Sequence, residues 1–188
     1  MVNFRKLFSS ETITSHSMFS NISKDSPYQI LAPGTEIIYD VNLIKQLTAE
    51  HDSMLATLHK VVNAIDSGDY KKMRKKLKFF LSIFNDHTLK EYSKLYVFLD
   101  YIYRGERENH RIVMYFRQEM NEIGKTVRTY ANYWVDRGVD HLTIEDFNYQ
   151  TKYISDLLTT RIEAEEEQLY ELYNKAPSRI LRSRIWNH

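Results

Sequence analysis

Apolar residues recur at steps of three and four along four long segments of this chain, and little interrupts them. Five glycines and three prolines in 188 residues leave few places to break a helix, so the central region is expected to be nearly all helix. The first segment runs from about Val41 to Ile65 with the stripe Ile44, Leu47, His51, Met54/Leu55, Leu58, Val62, Ile65, and stops at Ser67-Gly68. The second, from about Tyr70 to Tyr103, carries Met73, Leu77, Phe80, Phe84, His87, Glu91, Leu95, Phe98 and Ile102 inward, and Arg104-Gly105 ends it. The third starts near Glu106 and runs through His110, Val113, Phe116, Met120, Ile123, Val127 and Ala131 to Trp134. Thr143 and Asp146 open a fourth that carries Phe147, Ile154, Leu158, Ile162, Leu169 and Leu172, reaches about Tyr173, and is expected to stop at Pro177.

Four long helices with short connections predict an all-α, antiparallel up-down-up-down four-helix bundle over residues 39–174. Residues 1–38 read as a flexible polar tail, rich in serine and containing His16, with a short extended link at Ile30-Leu31-Ala32. Residues 175–188 read as a basic C-terminal tail that carries Trp186. A short element packed on the end of the bundle fits that stretch equally well.

Composition removes several function classes. Lysine and arginine number 26 against 25 acids, a formal net charge of +1, which gives no support to nucleic-acid binding. There is no cysteine, so disulfides, thiolate zinc sites, cysteine-ligated clusters and cysteine nucleophiles are excluded. No apolar run reaches the roughly 20 residues of a membrane span. The opening Met-Val-Asn-Phe-Arg-Lys-Leu-Phe leads into serines and threonines, so a cytoplasmic location is expected, away from membranes. HExxH, P-loop and GxGxxG patterns are absent.

Chemistry enters where the stripes turn polar. His51, His87, Glu91, Glu106 and His110 all occupy inward positions, and buried ionisable groups need a partner or a metal. His87 and Glu91 are four apart on one helix face, within reach of one ion. Glu106 and His110 repeat that spacing, although a carboxylate in a first helical turn also complements the helix dipole without any metal. On the fourth helix, a wheel centred on Leu158, Ile162 and Leu169 puts Glu165 inside the stripe and Glu166 on its flank, and at least one of them should point inward. An Arg161–Glu165 pair would account for part of that charge run. His59 and His141 fall off the stripes and are expected at the surface. None of the seven histidines follows a glutamate at three residues, which disfavours a ferritin-like di-iron bundle.

The segments around His51, His87-x-x-x-Glu91, Glu106-x-x-x-His110 and Arg161-Ile-Glu-Ala-Glu-Glu166 resemble the hemerythrin-like (HHE cation-binding) family from about Tyr39 to Tyr173. By that resemblance His51 and His87 correspond to ligands of one iron, and Glu91 and Glu166 to the bridging carboxylates. Glu106, His110 and Arg161 fall where a second iron finds three histidines. The resemblance implies a metal set of His51, His87, Glu91, Glu106, His110 and Glu166, holding one or two non-haem irons, with manganese or another divalent ion as an alternative. It also implies a role in sensing or handling oxygen, nitric oxide or iron. Glutamate is a plausible exchange for histidine at a metal, but arginine has no lone pair and a fixed charge, so the second ion should bind weakly. Arg161→His, with Glu106→His if needed, is expected to raise occupancy towards two. The rival expectation is a metal-free helical regulatory or interaction module that lost part of the site and meets a protein partner through its tails. No second constellation supports catalysis, so an enzyme is not expected.

Overall fold

The computed structural model describes residues 31–32 and 36–186, with side chains to residue 180. Most of the expected N-terminal tail, including its serines and His16, lies outside the described residues. Within the described part, Leu31 bridges Ile38 in antiparallel fashion and Ala32 is buried against the bundle.

Four long helices form the bundle. Helix α1 is Leu43–Asp66, and α2 spans 70–103 with a π-helical turn, Glu91–Tyr96, between its α-helical parts. Helix α3 is Arg107–Arg137, and α4 spans 144–186 with a second π turn at Glu165–Leu169. The breaks fall where backbone chemistry requires them. Gly68 and Gly138 adopt φ of 70° and 76°, which glycine takes without a Cβ clash. Asp69 then caps α2, its carboxylate accepting the Lys72 amide at 2.9 Å. At the other connection Asp140 Oδ1 accepts from the amides of Leu142 and Thr143, so Asp140 organises the turn.

Side-chain pairs fix the directions of the helices. Between α2 and α3, Arg74 meets the Val135 carbonyl, Tyr92 meets Arg117, and Asp100 meets His110, so one number rises as the other falls. Between α3 and α4, Trp134 donates to Gln150 and Arg161 reaches back to Glu119, which is again antiparallel. Helices α2 and α4 run the same way, since Tyr96 meets Glu165 and Tyr103 meets the Leu172 carbonyl.

One expectation fails at the C-terminal end. The fourth helix does not stop near Tyr173 or at Pro177; it continues through Pro177 to Trp186. Proline costs a backbone hydrogen bond there, but Ala176 and Ile180 bury apolar surface in the same core cluster as Tyr103 and Tyr173, and that packing holds the helix. Arg179 lies over the Tyr103 ring and pairs with Glu106.

The core is divided. One apolar cluster includes Met54, Leu58, Phe80, Phe84, Ile123, Trp134, Phe147 and Leu158. The other includes Leu43, Leu47, Leu95, Phe98, Phe116, Leu169, Tyr173 and Ile180. His51, His87, Glu91, Arg161 and Glu165 are buried at positions between the two along α1, α2 and α4. No helix among the described residues is long and apolar enough to cross a membrane.

Candidate metal centre

Helix α1 places His51 between Leu47 and Met54, and α2 places His87 and Glu91 between Phe84 and Leu95, so each enters on a stripe that is otherwise apolar. One nitrogen from each histidine and one Glu91 oxygen all lie within 4.8 Å of one another. The His51 and His87 rings are 4.7 Å apart between centroids, and His87 Nε2 is 3.7 Å from Glu91 Oε2.

Carboxylates on the outer side orient both rings. His51 Nδ1 is 3.0 Å from Glu166 Oε1, and His87 Nδ1 is 3.0 Å from Glu50 Oε2, whose other oxygen pairs with Lys90. A carboxylate only accepts, so each Nδ1 carries a hydrogen and each Nε2 turns towards the interior. Glu91 is fully buried, and its Oε2 has no hydrogen-bond partner. A buried carboxylate oxygen left in that state is costly unless a cation meets it. Ligand atoms sharing an ion at roughly 2.0–2.2 Å each lie no more than about 4.4 Å apart. The 3.7 Å separation fits, and the wider ones close with a shift of a few tenths of an ångström. The donor set therefore fits a metal cation.

Electrostatics point the same way. Burial lowers the His51 pKa, but Glu165 and Glu166 together outweigh it and hold the value above the usual imidazole range. A proton there sits where a bound cation would otherwise balance those carboxylates. Burial, reinforced by the charge on His51, takes His87 down to about 4 against the pull of Glu50. Burial and the neighbouring Glu165 raise Glu91 well above the carboxylate range, with Arg161 opposing. For Glu165 burial acts upward, but His51 and Arg161 outweigh it and lower the value.

Helix α4 supplies Arg161, Glu165 and Tyr170. Arg161 is 4% exposed and its guanidinium is fully engaged. It donates to Glu165 Oε1 at 2.8 Å from Nε, to Glu119 at 2.6 Å, to Tyr96 at 2.7 Å and to the Phe116 carbonyl at 3.0 Å, with its carbon 4.5 Å from the Phe116 ring centre. Glu165 turns Oε1 to Arg161 and Oε2 to His51 Nε2 at 3.5 Å. A groove of about 830 Å³ between α3 and α4 reaches the outer side of Arg161.

Residues 42–173 match the hemerythrin HHE cation binding domain. The chain belongs to that family. A comparison with curated proteins finds no match, and neither does a comparison with solved structures.

Against the set expected for a hemerythrin HHE domain, the structure brings His51, His87 and Glu91 together and leaves three residues elsewhere. Glu166 lies outside the cluster. It is 38% exposed and touches His51 from outside, while Glu165 is the inward carboxylate. The helical wheel pointed to Glu165; alignment with the family motif pointed to Glu166. Glu106 and His110 also lie apart from the cluster. His110 Nε2 pairs with Asp100 at 2.7 Å, and Glu106 pairs with Asn109 and Arg179. The cause is the length of α2 beyond Glu91. That helix continues about 12 residues further before the turn at Gly105, so α3 returns to the level of Glu91 only near Glu119, on the order of 18 Å below its start. Glu119, Phe116 and Ile123 face that level, and α3 presents no histidine to it.

Several site residues escape a sequence reading. Glu50 carries no signal beyond standing next to His51. Glu119 is recoverable by reflecting α2 onto α3 about Gly105. Tyr96 and Tyr170 each sit five residues after an inward glutamate, a spacing that shares a face only across a π turn. His59 and His141 are exposed, as their positions off the stripes predict.

Proposed function

We propose that this hemerythrin HHE domain holds a single non-haem iron and serves in sensing or handling oxygen, nitric oxide or iron rather than in catalysis. The observation that carries this reading is the pair of histidines with Nδ1 tethered to outer carboxylates and Nε2 facing the unpartnered Glu91 Oε2. Two histidines and one carboxylate form the usual kit of non-haem Fe(II) sites. His51, His87 and Glu91 would hold the ion, with Glu165 Oε2 next nearest. Bound there, iron supplies open coordination positions for a diatomic ligand and a one-electron change. The protein's part is to fix the two imidazoles, keep bulk water out with Leu47, Met54, Phe84 and Leu95, and balance Glu165 with Arg161.

The Arg161 network favours one ion over two. Its fixed charge stands beside Glu165, and α3 offers no second set of nitrogen ligands. The same network supports the rival reading of a metal-free interaction module, because Arg161 and Glu165 satisfy each other without any ion.

Iron content and an optical spectrum of protein purified under low oxygen separate these readings. Close to one iron per chain is expected, without the charge-transfer bands of a bridged di-ferric pair. His87→Ala and Glu91→Ala should each remove most of it, and His59→Ala none. Equal loss from all three would mark adventitious binding, and absence of metal in the wild type would favour the rival.

A further inference from the structure

Tyr170 is the polar group at the centre that neither the family match nor the histidine–carboxylate cluster accounts for. Its side chain is buried, and its oxygen sits between two of the ligating groups, 3.2 Å from Glu91 Oε1 and 3.3 Å from His51 Nε2. The ring stacks nearly parallel to His51, 6° between planes, with centroids 5.8 Å apart. A phenol has one proton and can donate to only one of those two acceptors. The phenol proton goes to Glu91 Oε1, which leaves the phenol oxygen free to meet a hydrogen or a cation on the His51 side.

Backbone geometry puts the oxygen there. In a regular α-helix residues five apart point well away from each other. The Tyr170 amide instead donates to the Glu165 carbonyl, five residues back, and this π turn brings Glu165 and Tyr170 to one face. The other buried phenol nearby, Tyr96, is already committed, accepting from Arg161 at 2.7 Å and donating to Glu165 at 3.4 Å. Charge balance completes the case. Arg161 offsets Glu165, so Glu91 is the one ligand carboxylate without a cationic partner. A ferric ion in so dry a site calls for a further anionic oxygen donor.

We infer that Tyr170 is a metal ligand, its phenolate oxygen joining His51, His87 and Glu91 as a fourth protein donor to ferric iron. On binding, the oxygen–iron bond forms, the O–H bond breaks and the proton leaves to solvent, with no change in the oxidation state of the tyrosine. This inference rests on the proposed iron site, and the experiment below separates the two.

The protein is loaded with Fe(II) without oxygen, then oxidised in air, and iron content, visible absorption and resonance Raman spectra are recorded. Phenolate bound to ferric iron gives a broad visible charge-transfer band whose excitation enhances tyrosine ring modes. The wild type should show both, and Tyr170→Phe should lose both. One iron per chain with no such band overturns the inference and leaves the iron site standing. Failure of the wild type to hold iron overturns both. Should Tyr170→Phe fail to fold, Tyr96→Phe decides, since that variant removes the competing phenol that the described residues place at the cluster. A band that survives Tyr96→Phe supports Tyr170, and one that disappears overturns the assignment.

Discussion

At Glu91 a carboxyl group is buried beside Glu165, and one of its oxygens meets no donor. Its folded pKa is raised, so in metal-free protein its contribution to stability is present below about 4.5 and is lost as pH rises towards the folded value. His51, also raised, has the same sign. His87 is opposite: the unfolded chain takes up a proton that the folded ring refuses, so stability is lost as pH falls from 6.5 towards about 4. Above pH 6.5 only the first two act, and chelated protein should lose stability as pH rises. Glu91→Gln should flatten that decline and stabilise the chelated protein by about 1–2 kcal/mol at pH 8 while removing the metal. Urea unfolding in the presence of chelator over a pH series measures it; a variant less stable at every pH contradicts the argument. Arg161 yields a second expectation at this scale. Because Glu106 lies far from the centre and α3 turns Phe116 and Ile123 inward, Arg161→His combined with Glu106→His should still hold about one ion per chain. This runs against the sequence-based expectation of two, and metal analysis of the double variant decides between them.

Both π turns begin at an inward glutamate, Glu91 in α2 and Glu165 in α4. Each holds one residue more than an α-turn, and the helix on either side keeps its apolar face towards the core. Deleting exposed Glu167 should let an ordinary α-turn form with Tyr170 still facing Glu165, at a cost within about 1 kcal/mol. Deleting Asp156, also exposed but within regular α-helix, rotates one side of α4 by about 100° relative to the other. That should cost several kcal/mol or prevent folding. Thermal unfolding of the two variants distinguishes them, and equal damage from both would count against this account of the turn. The same turns mark the limit of what the sequence shows. Steps of three and four located all four helices, the exposed His59 and the inward His51, His87 and Glu91, because burial of an α-helical face has that period. Tyr96 and Tyr170 were hidden because their period is five. His110 misled because periodicity says which way a residue faces and nothing about its height in the bundle, which depends on where α2 ends. Pro177 misled because tertiary packing at Ala176 and Ile180 outweighs a local preference.

At the scale of the whole molecule, the described residues form two apolar cores with a polar layer between them, crossed by four continuous helices. An ion that binds this layer in the folded state alone adds its binding energy to folding, about 2.7 kcal/mol at a free concentration 100-fold above its Kd. For a chain of this length that corresponds to a rise in Tm of roughly 5–10 °C. Calorimetry of chelated and Fe(II)-loaded protein without oxygen should show the rise, and His87→Ala should show none. An equal rise in His87→Ala would move the binding elsewhere. The groove between α3 and α4 gives this layer a further property. Its floor at the polar layer is the Arg161–Glu119 ion pair, and Glu119 is 39% exposed. Arg161 is also held from the inner side by Glu165, Tyr96 and the Phe116 carbonyl, so parting the Glu119 contact leaves the guanidinium in place between the groove and the polar layer. A small polar solute that enters the groove therefore meets a fixed positive charge anchored from within, and the groove selects for anions at its floor while the polar layer behind it stays closed.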